Sequence, residues 1–184
     1  MAAVTPPLTL YLIRHPRPLI APGVCYGRLD VAAEDPTPIA AALREKLPGS
    51  APVWTSPLQR CRHLAEQLHP QPRQDSRLQE IDFGGWEGRA WDDVPRPELD
   101  AWAADLLNYA PPDGESPARL AARVDAFVAE LPPGEHILVT HAGVIRVLQS
   151  RAEQLPLAAG LRRPAVVYGS LLRITISRAE GSSE

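Results

Sequence analysis

Short apolar runs of strand length alternate along the chain with segments of helical periodicity. The runs Leu8 to Ile13, Val53-Trp54 and Ile137 to Thr140 predict buried strands, and residues 165–176 predict one long strand or two short ones. Such alternation is typical of an α/β domain with helices on both faces of a sheet.

Two of the predicted helices carry clear start signals. Ser56-Pro57 and Ser116-Pro117 each place a capping serine before a proline at the first helical position, and Gln59 completes a capping box in the first. Arg60 is predicted to lie outside the apolar face of the first helix, near its start. The second helix is stopped by the prolines at 132–133. Further helices are predicted over Ile39 to Leu47, around Trp102 to Leu107, and from Val144 onward.

Length and composition favour one domain. The 184 residues suit a single domain over 1–177, followed by a solvated tail over 178–184. The formal net charge of −3 gives no indication that the protein binds nucleic acid or an acidic membrane surface. Neither a secretory signal nor a run near the ~20 apolar residues of a membrane span is present, so we expect a cytoplasmic protein.

Cysteine and histidine spacing gives no indication of a metal. Cys25 and Cys61 form no C-x-x-C pair and are expected to be buried small residues. His63, His69 and His136 have no ligand spacing and are expected at the surface. We therefore expect neither a metal nor a cofactor.

Two histidines follow predicted buried strands. Arg14-His15 ends the first strand and His141 ends the strand from Ile137, while Arg60 lies near the start of a helix. Ligands of open α/β sheets gather at the carboxyl ends of strands. Phosphoryl transfer needs a nucleophile, cationic donors and a proton source, and arginine matches phosphate better than lysine does.

Each of these residues has an ordinary structural interpretation when taken alone. An Arg-His pair after a strand is more often a solvated edge, and His141 could be a hydrogen-bonded structural histidine. Three nearby carboxylates, Glu80, Asp82 and Glu87, compete for one acid role. The order and combination of these residues favour a phosphate site.

Four ordered segments carry a resemblance to a known family. They are residues 12–15 (LIRH), 55–61 (TSPLQRC), 78–88 (LQEIDFGGWEG) and 139–146 (VTHAGVIR). In this order they resemble the histidine phosphatase superfamily. The resemblance implies a three-layer α/β/α sandwich with a mostly parallel central sheet, the fold of the cofactor-dependent phosphoglycerate mutases.

The resemblance also implies roles for individual residues. His15 would attack phosphorus and form a phosphohistidine, with Arg14, Arg60 and His141 binding the phosphoryl oxygens. Glu80 matches the family's proton donor, whereas Asp82 and Glu87 do not match that position. The N–H of Ala142, at the predicted start of the next helix, could also face an anion.

The chain departs from the family pattern at two positions. Pro16 follows the nucleophile where glycine is usual, and proline lacks an N–H and fixes φ. Ala21 stands where the family usually has asparagine. Neither change removes a catalytic side chain, but the phosphate loop is expected to differ.

Residues 24–30 (VCYGRLD) and 111–116 (PPDGES) resemble α-ribazole phosphatases more narrowly. This resemblance implies hydrolysis of α-ribazole 5′-phosphate in cobalamin assembly, with Arg28 and Tyr26 near the substrate. The alternatives are a broad-specificity phosphatase, a mutase, which the short chain disfavours, and a phosphate-ester binding module without turnover. The expected partner is a small phosphate ester, and the protein could be a monomer or a homodimer.

Overall fold

The central sheet is mixed but mostly parallel, as expected from the sequence. The computed structural model describes residues 7–164 and 166–177. The strand order is β3-β2-β4-β1-β5, and within these residues β5 is antiparallel to its neighbour while the other pairs are parallel. The strands are β1 (Leu8–Arg14), β2 (Val53–Thr55), β3 (Arg73–Gln74), β4 (Gly134–Thr140) and β5 (Leu171–Ile176).

Helices cover both faces of this sheet. Those of the described residues are α1 (Thr37–Arg44), α2 (Gln59–Leu68), α3 (Arg96–Ala104), α4 (Pro117–Glu130), α5 (Ala142–Ala152) and α6 (Leu157–Leu161). Leu8, Leu10 and Leu12 of β1 pack in one core with α4 and α5. Ile13 of β1 packs in a second core with α1 and α2. Alternate side chains of β1 therefore bury opposite faces, and the three-layer α/β/α sandwich is confirmed.

The parallel register of β1 and β4 places the two histidines side by side. Arg14 is paired with Thr140, so His15 and His141 are the next residues of adjacent strands. The His15 N–H donates to the Thr140 carbonyl at 3.1 Å. The site described below is built on this edge of the sheet.

A third core lies beneath the irregular segment between β3 and α4. Its aromatic side chains, which we call the aromatic cluster, pack around buried Cys25 and Val94. The aromatic cluster consists of Phe83, Trp86, Trp91, Trp102 and Tyr109. Cys25 and Cys61 are both buried, as expected.

Several helix boundaries differ from those expected. Helix α2 begins at Gln59, with Leu58 at its N-cap and no side-chain cap, so the expected start at Ser56-Pro57 is wrong. Helix α4 begins as expected, with the Ser116 side chain accepting from the Arg119 N–H. Helices α1 and α3 end earlier than expected, and α5 begins two residues earlier.

The carboxyl-terminal strand is shorter than the range expected for it. It is confined to Leu171–Ile176, and residues 166–170 form a turn-containing connection. Ala165 and the expected tail over 178–184 lie outside the described residues. The single-domain boundary over 1–177 stays a prediction.

His136 is not the surface residue expected. It is 2% exposed, where its Nδ1 accepts from the Trp54 indole N–H at 3.2 Å and its Nε2 donates to the Pro132 carbonyl at 2.9 Å. A buried imidazole is stable here because both nitrogens have partners. Across the described part of the chain, none of the helices has the length and apolar content to cross a membrane.

Candidate active site

A cavity of about 350 Å³ opens at the carboxyl ends of β1 and β4. Five residues expected at the site line it, together with Arg146 and an apolar wall. The five are Arg14, His15, Tyr26, Glu80 and Ala142. His141 and Arg60 lie buried behind this lining, at 0% and 1% exposure.

His15 has the protonation state of a nucleophile. Its Nδ1 is 2.7 Å from the Pro16 carbonyl oxygen, which can only accept, so Nδ1 carries the proton and Nε2 keeps its lone pair. Burial, and secondly the charge of Arg60, lower the pKa of His15 to about 3. The imidazole is therefore neutral at pH 7.

Two arginines hold their charges close to His15. The Arg14 guanidinium lies 3.8 Å from the centroid of the Tyr168 ring and donates to the Val166 carbonyl. Arg60, near the start of α2, donates through Nη1 to the Leu29 carbonyl at 2.8 Å and through Nη2 to the Gly27 carbonyl. Arg60 is buried together with Cys61 and Leu64 of its helix, under the loop that precedes α1, so the expectation that it lies off the apolar face is wrong.

Several arginines keep an unused N–H donor. Among the described residues, the buried side-chain nitrogens without a hydrogen-bond partner are the Nε atoms of Arg14, Arg28, Arg60 and Arg146. Two of these arginines, Arg14 and Arg146, line the cavity, and Arg60 lies beside His15. Buried donors without partners are costly, so this cluster favours an anionic ligand.

His141 lies against His15 at the start of α5. The two ring centroids are 5.0 Å apart, and His141 Nε2 is 2.8 Å from the Ser56 hydroxyl. Burial, followed by electrostatic interactions with His15 and Arg60, holds the pKa of His141 well below its ordinary value. Because α5 begins at Ala142, its dipole and the Ala142 amide favour an anion at the cavity.

The three competing carboxylates are separated by their contacts. Glu80 lines the cavity, and its oxygens accept from the Ile81 and Gly143 amides at 3.0 and 3.1 Å. Glu87 accepts from the backbone amides of Arg28, Leu29 and Phe83, so its carboxylate holds two loops together. Asp82 caps Gly84 and lies 3.6 Å from Arg28.

Arg28 and Tyr26 have different surroundings. Arg28 lies 3.6 Å from Asp82 and 3.7 Å from Glu115, and it is not among the residues that line the cavity. Tyr26 lines the cavity, and its hydroxyl is 2.9 Å from that of Tyr168. The substrate-binding roles of both residues stay predictions.

Sequence reasoning missed several residues at this site. Arg146 lies one helical turn after Ala142, a spacing that puts both on one face of α5, so periodicity could have indicated it. Tyr168 packs 5.6 Å from the His15 ring, but it comes from a distant connection without any motif. No group of three or more metal-ligating side chains occurs within the described ranges.

A family model described as histidine phosphatase superfamily (branch 1) matches residues 10–183. The chain belongs to this superfamily. The resemblance of the four ordered segments is thus confirmed for the family as a whole.

Relatives within the superfamily carry different names. The chain is 32% identical over 131 residues to a 6-phosphofructo-2-kinase/fructose-2,6-bisphosphatase of Aquarana catesbeiana, which covers 64% of the chain and 28% of that protein. It is 30% identical over 122 residues to an adenosylcobalamin/α-ribazole phosphatase of Salmonella typhimurium, 58% of each. The chain thus spans from about a quarter to three fifths of these curated relatives.

A solved structure supports the fold. A candidate α-ribazole-5′-P phosphatase of Escherichia coli K-12 superimposes with a TM-score of 0.82 at 24% identity, covering 93% of this chain and 91% of that one. At this identity the likeness concerns the fold alone.

The two departures from the superfamily pattern can now be placed. The carbonyl of Pro16 still accepts from His15, so the proline removes an N–H without removing the contact that orients the imidazole. Ala21 lies exposed in the loop before Val24 and presents no polar side chain. The phosphate contact that the family's asparagine would make at this position must therefore be made by another residue in this chain.

Proposed function

We propose that this protein is a phosphomonoesterase that works through a phosphohistidine intermediate. One observation carries the proposal: a neutral His15, with the lone pair on Nε2, lies among Arg14, Arg60 and His141, and both arginines have unused donors. A pure anion site does not need a buried, neutral imidazole at its centre.

In the first step, Nε2 of His15 attacks phosphorus and the bond from phosphorus to the ester oxygen breaks. The arginines and the Ala142 amide at the start of α5 stabilise the equatorial oxygens. The departing alkoxide takes a proton from the protonated carboxyl of Glu80, which lines the same cavity. The arriving phosphate also supplies the negative charge that favours a protonated His141.

In the second step, water attacks the phosphohistidine. Glu80, now a carboxylate, takes the proton of that water, and the bond from phosphorus to Nε2 breaks. Inorganic phosphate leaves, and His15 returns to its neutral form with Nδ1–H still bound to Pro16. No metal or cofactor is required by this sequence of steps.

For the substrate, we propose α-ribazole 5′-phosphate, within a role in cobalamin biosynthesis. The support is the resemblance of residues 24–30 and 111–116, the Salmonella relative, and the apolar wall of the cavity. Phe83, Trp91 and Trp102 contribute to that wall, and the two tryptophan rings stack at 6.0 Å with a 7° interplanar angle. Flat aromatic faces suit a base-like ring on the leaving alcohol. Arg28 and Tyr26 would then lie near the substrate.

A broad-specificity phosphatase acting on small esters is the second candidate. The Aquarana catesbeiana relative, named for a sugar bisphosphate, is as similar as the Salmonella one. A non-catalytic phosphate-ester binding module is disfavoured because such a module has no use for Glu80 at the cavity. For each candidate the partner is a small phosphate ester. A cytoplasmic location, without membrane or nucleic-acid partners, is part of the proposal.

The test is phosphate release, without added metal, from α-ribazole 5′-phosphate and from sugar, nucleotide and glycerate phosphates. A kcat/KM advantage of about a hundredfold for the ribazole ester, equal to ~2.7 kcal/mol of transition-state discrimination, supports the narrow substrate. A flat profile supports the broad-specificity enzyme. Inactivity on every ester, with phosphate binding retained, overturns the proposal in favour of the binding module.

A further inference from the structure

The segment that carries Glu80 lacks the hydrogen bonds of regular structure. A short 3₁₀ helix, Ser76–Leu78, precedes it, and residues 79–83 are irregular. Backbone carbonyls that are shielded from water need other partners. Here four successive carbonyls, those of residues 77–80, are all bound by side chains.

Arg123 of α4 supplies three of these four bonds. Its Nη1 donates to the carbonyls of Arg77 at 2.6 Å and Gln79 at 2.8 Å, and its Nη2 donates to that of Glu80 at 3.0 Å. The Thr140 hydroxyl, one residue before His141, donates to the fourth, Leu78, at 2.7 Å. The Glu80 segment is therefore fastened to both α4 and the end of β4.

Glu115 fixes the plane of the Arg123 guanidinium. Its Oε1 accepts from Arg123 Nε at 2.7 Å and its Oε2 from Nη2 at 2.9 Å, a bidentate pair. The arginine side chain is 15% exposed and the glutamate 11%. A planar group with five donors can meet a carboxylate and three carbonyls at once, whereas an ammonium cannot reproduce that geometry.

The Glu80 carboxylate is positioned from its other side by α5. Gly143 donates to it at 3.1 Å, and a β-carbon at position 143 would lie 2.2 Å from Oε1. The carboxylate thus has little freedom once its backbone is held. We propose that Arg123 is the positioning residue for Glu80, setting the direction in which that carboxyl delivers its proton; this inference rests on the proposed role of Glu80.

Kinetics on two esters tests the proposal. We expect Arg123→Met to lower kcat about 30-fold on an alkyl phosphate but less than about threefold on p-nitrophenyl phosphate, whose leaving group needs no proton. Arg123→Lys should show the same selectivity with a smaller loss. The matched control is Arg151→Met, which breaks an exposed two-bond pair with Asp125; neither residue lines the cavity, so both rates should be unchanged.

Equal losses on both esters in folded protein, or no loss on either, overturn the proposal. If Arg123→Met does not fold, Arg123→Lys decides by the same ratio. Thermal unfolding of each variant identifies any loss of folded protein.

A second readout does not depend on activity. The Gly143 amide is in the first turn of α5 and has no partner within the helix, so its protection from hydrogen exchange reports its bond to Glu80. We expect the Gly143 amide to exchange about tenfold faster in Arg123→Met than in the wild type. In Arg151→Met its exchange rate should equal that of the wild type. Unchanged exchange in both overturns the proposal. If the wild-type protein cleaves neither ester, the proposed function fails, and this measurement alone decides whether Arg123 positions Glu80.

Discussion

His15 owes its state to its own loop, whereas Glu80 owes its place to residues far along the chain. Pro16, next to the nucleophile, supplies the carbonyl that holds Nδ1–H, and burial keeps the ring neutral. The sequence identified both residues through motifs. It could not indicate Arg123 or Tyr168, because their roles depend on contacts between segments more than 40 residues apart.

Glu80→Gln tests the acid at the residue scale. An amide cannot deliver a proton, so we expect kcat/KM on an alkyl phosphate to fall by about 10²-fold or more, and much less on p-nitrophenyl phosphate. Steady-state kinetics on both esters gives the ratio. The control is Asp82→Asn, whose side chain can still accept from Gly84. A larger selective loss in Asp82→Asn than in Glu80→Gln would reassign the acid.

Among the elements, α2 and α4 show how one sequence signal can give two results. Both have Ser-Pro before an apolar face, yet Ser116 caps α4 while α2 starts later. The Ser56 hydroxyl lies 2.8 Å from His141 Nε2 and accepts from the Leu58 amide at 3.3 Å. Local propensity cannot decide between a cap and a site contact when the competing partner is 85 positions away.

Ser116→Ala tests the cap of α4. Loss of the acceptor for the Arg119 amide should lower the free energy of unfolding by about 1 kcal/mol and Tm by about 2–4 °C. Urea unfolding and calorimetry measure these changes. Ser116→Thr keeps a hydroxyl and should recover most of the stability. An alanine variant as stable as the wild type would show that the cap contributes nothing.

For the whole molecule, the layered fold followed from strand and helix alternation and from the superfamily resemblance. The register of β1 with β4, which aligns Arg14 with Thr140, made the expected meeting of His15 and His141 possible. The aromatic cluster and the burial of His136 were not predicted as such. In both cases an irregular loop or a neighbouring strand buries the side chain. The periodicity of hydrophobic residues gives no information about burial by such distant segments.

The buried neutral histidines make the stability of the whole fold depend on pH. The pKa of His15 is lowered to about 3, so below its unfolded value near 6.5 the unfolded chain binds a proton that the folded one does not. The contribution of neutral His15 to the free energy of unfolding is complete above about pH 6.5. It is lost as the pH falls from about 6.5 toward 3, by up to about 1.4 kcal/mol per pH unit. Urea unfolding between pH 7 and 4 should show a shallower decline in His15→Asn. Parallel declines would contradict this.

The most direct test is to trap phosphate on the protein. Wild-type protein is mixed with a reactive phosphate ester for milliseconds, quenched under alkaline conditions that preserve phosphohistidine, and analysed by mass spectrometry. We expect one added phosphoryl group, located on His15, that disappears as inorganic phosphate forms. His15→Ala should neither acquire the group nor turn over substrate. Turnover by wild-type protein without a trapped group, a group on another residue, or measurable activity in His15→Ala would contradict the covalent route.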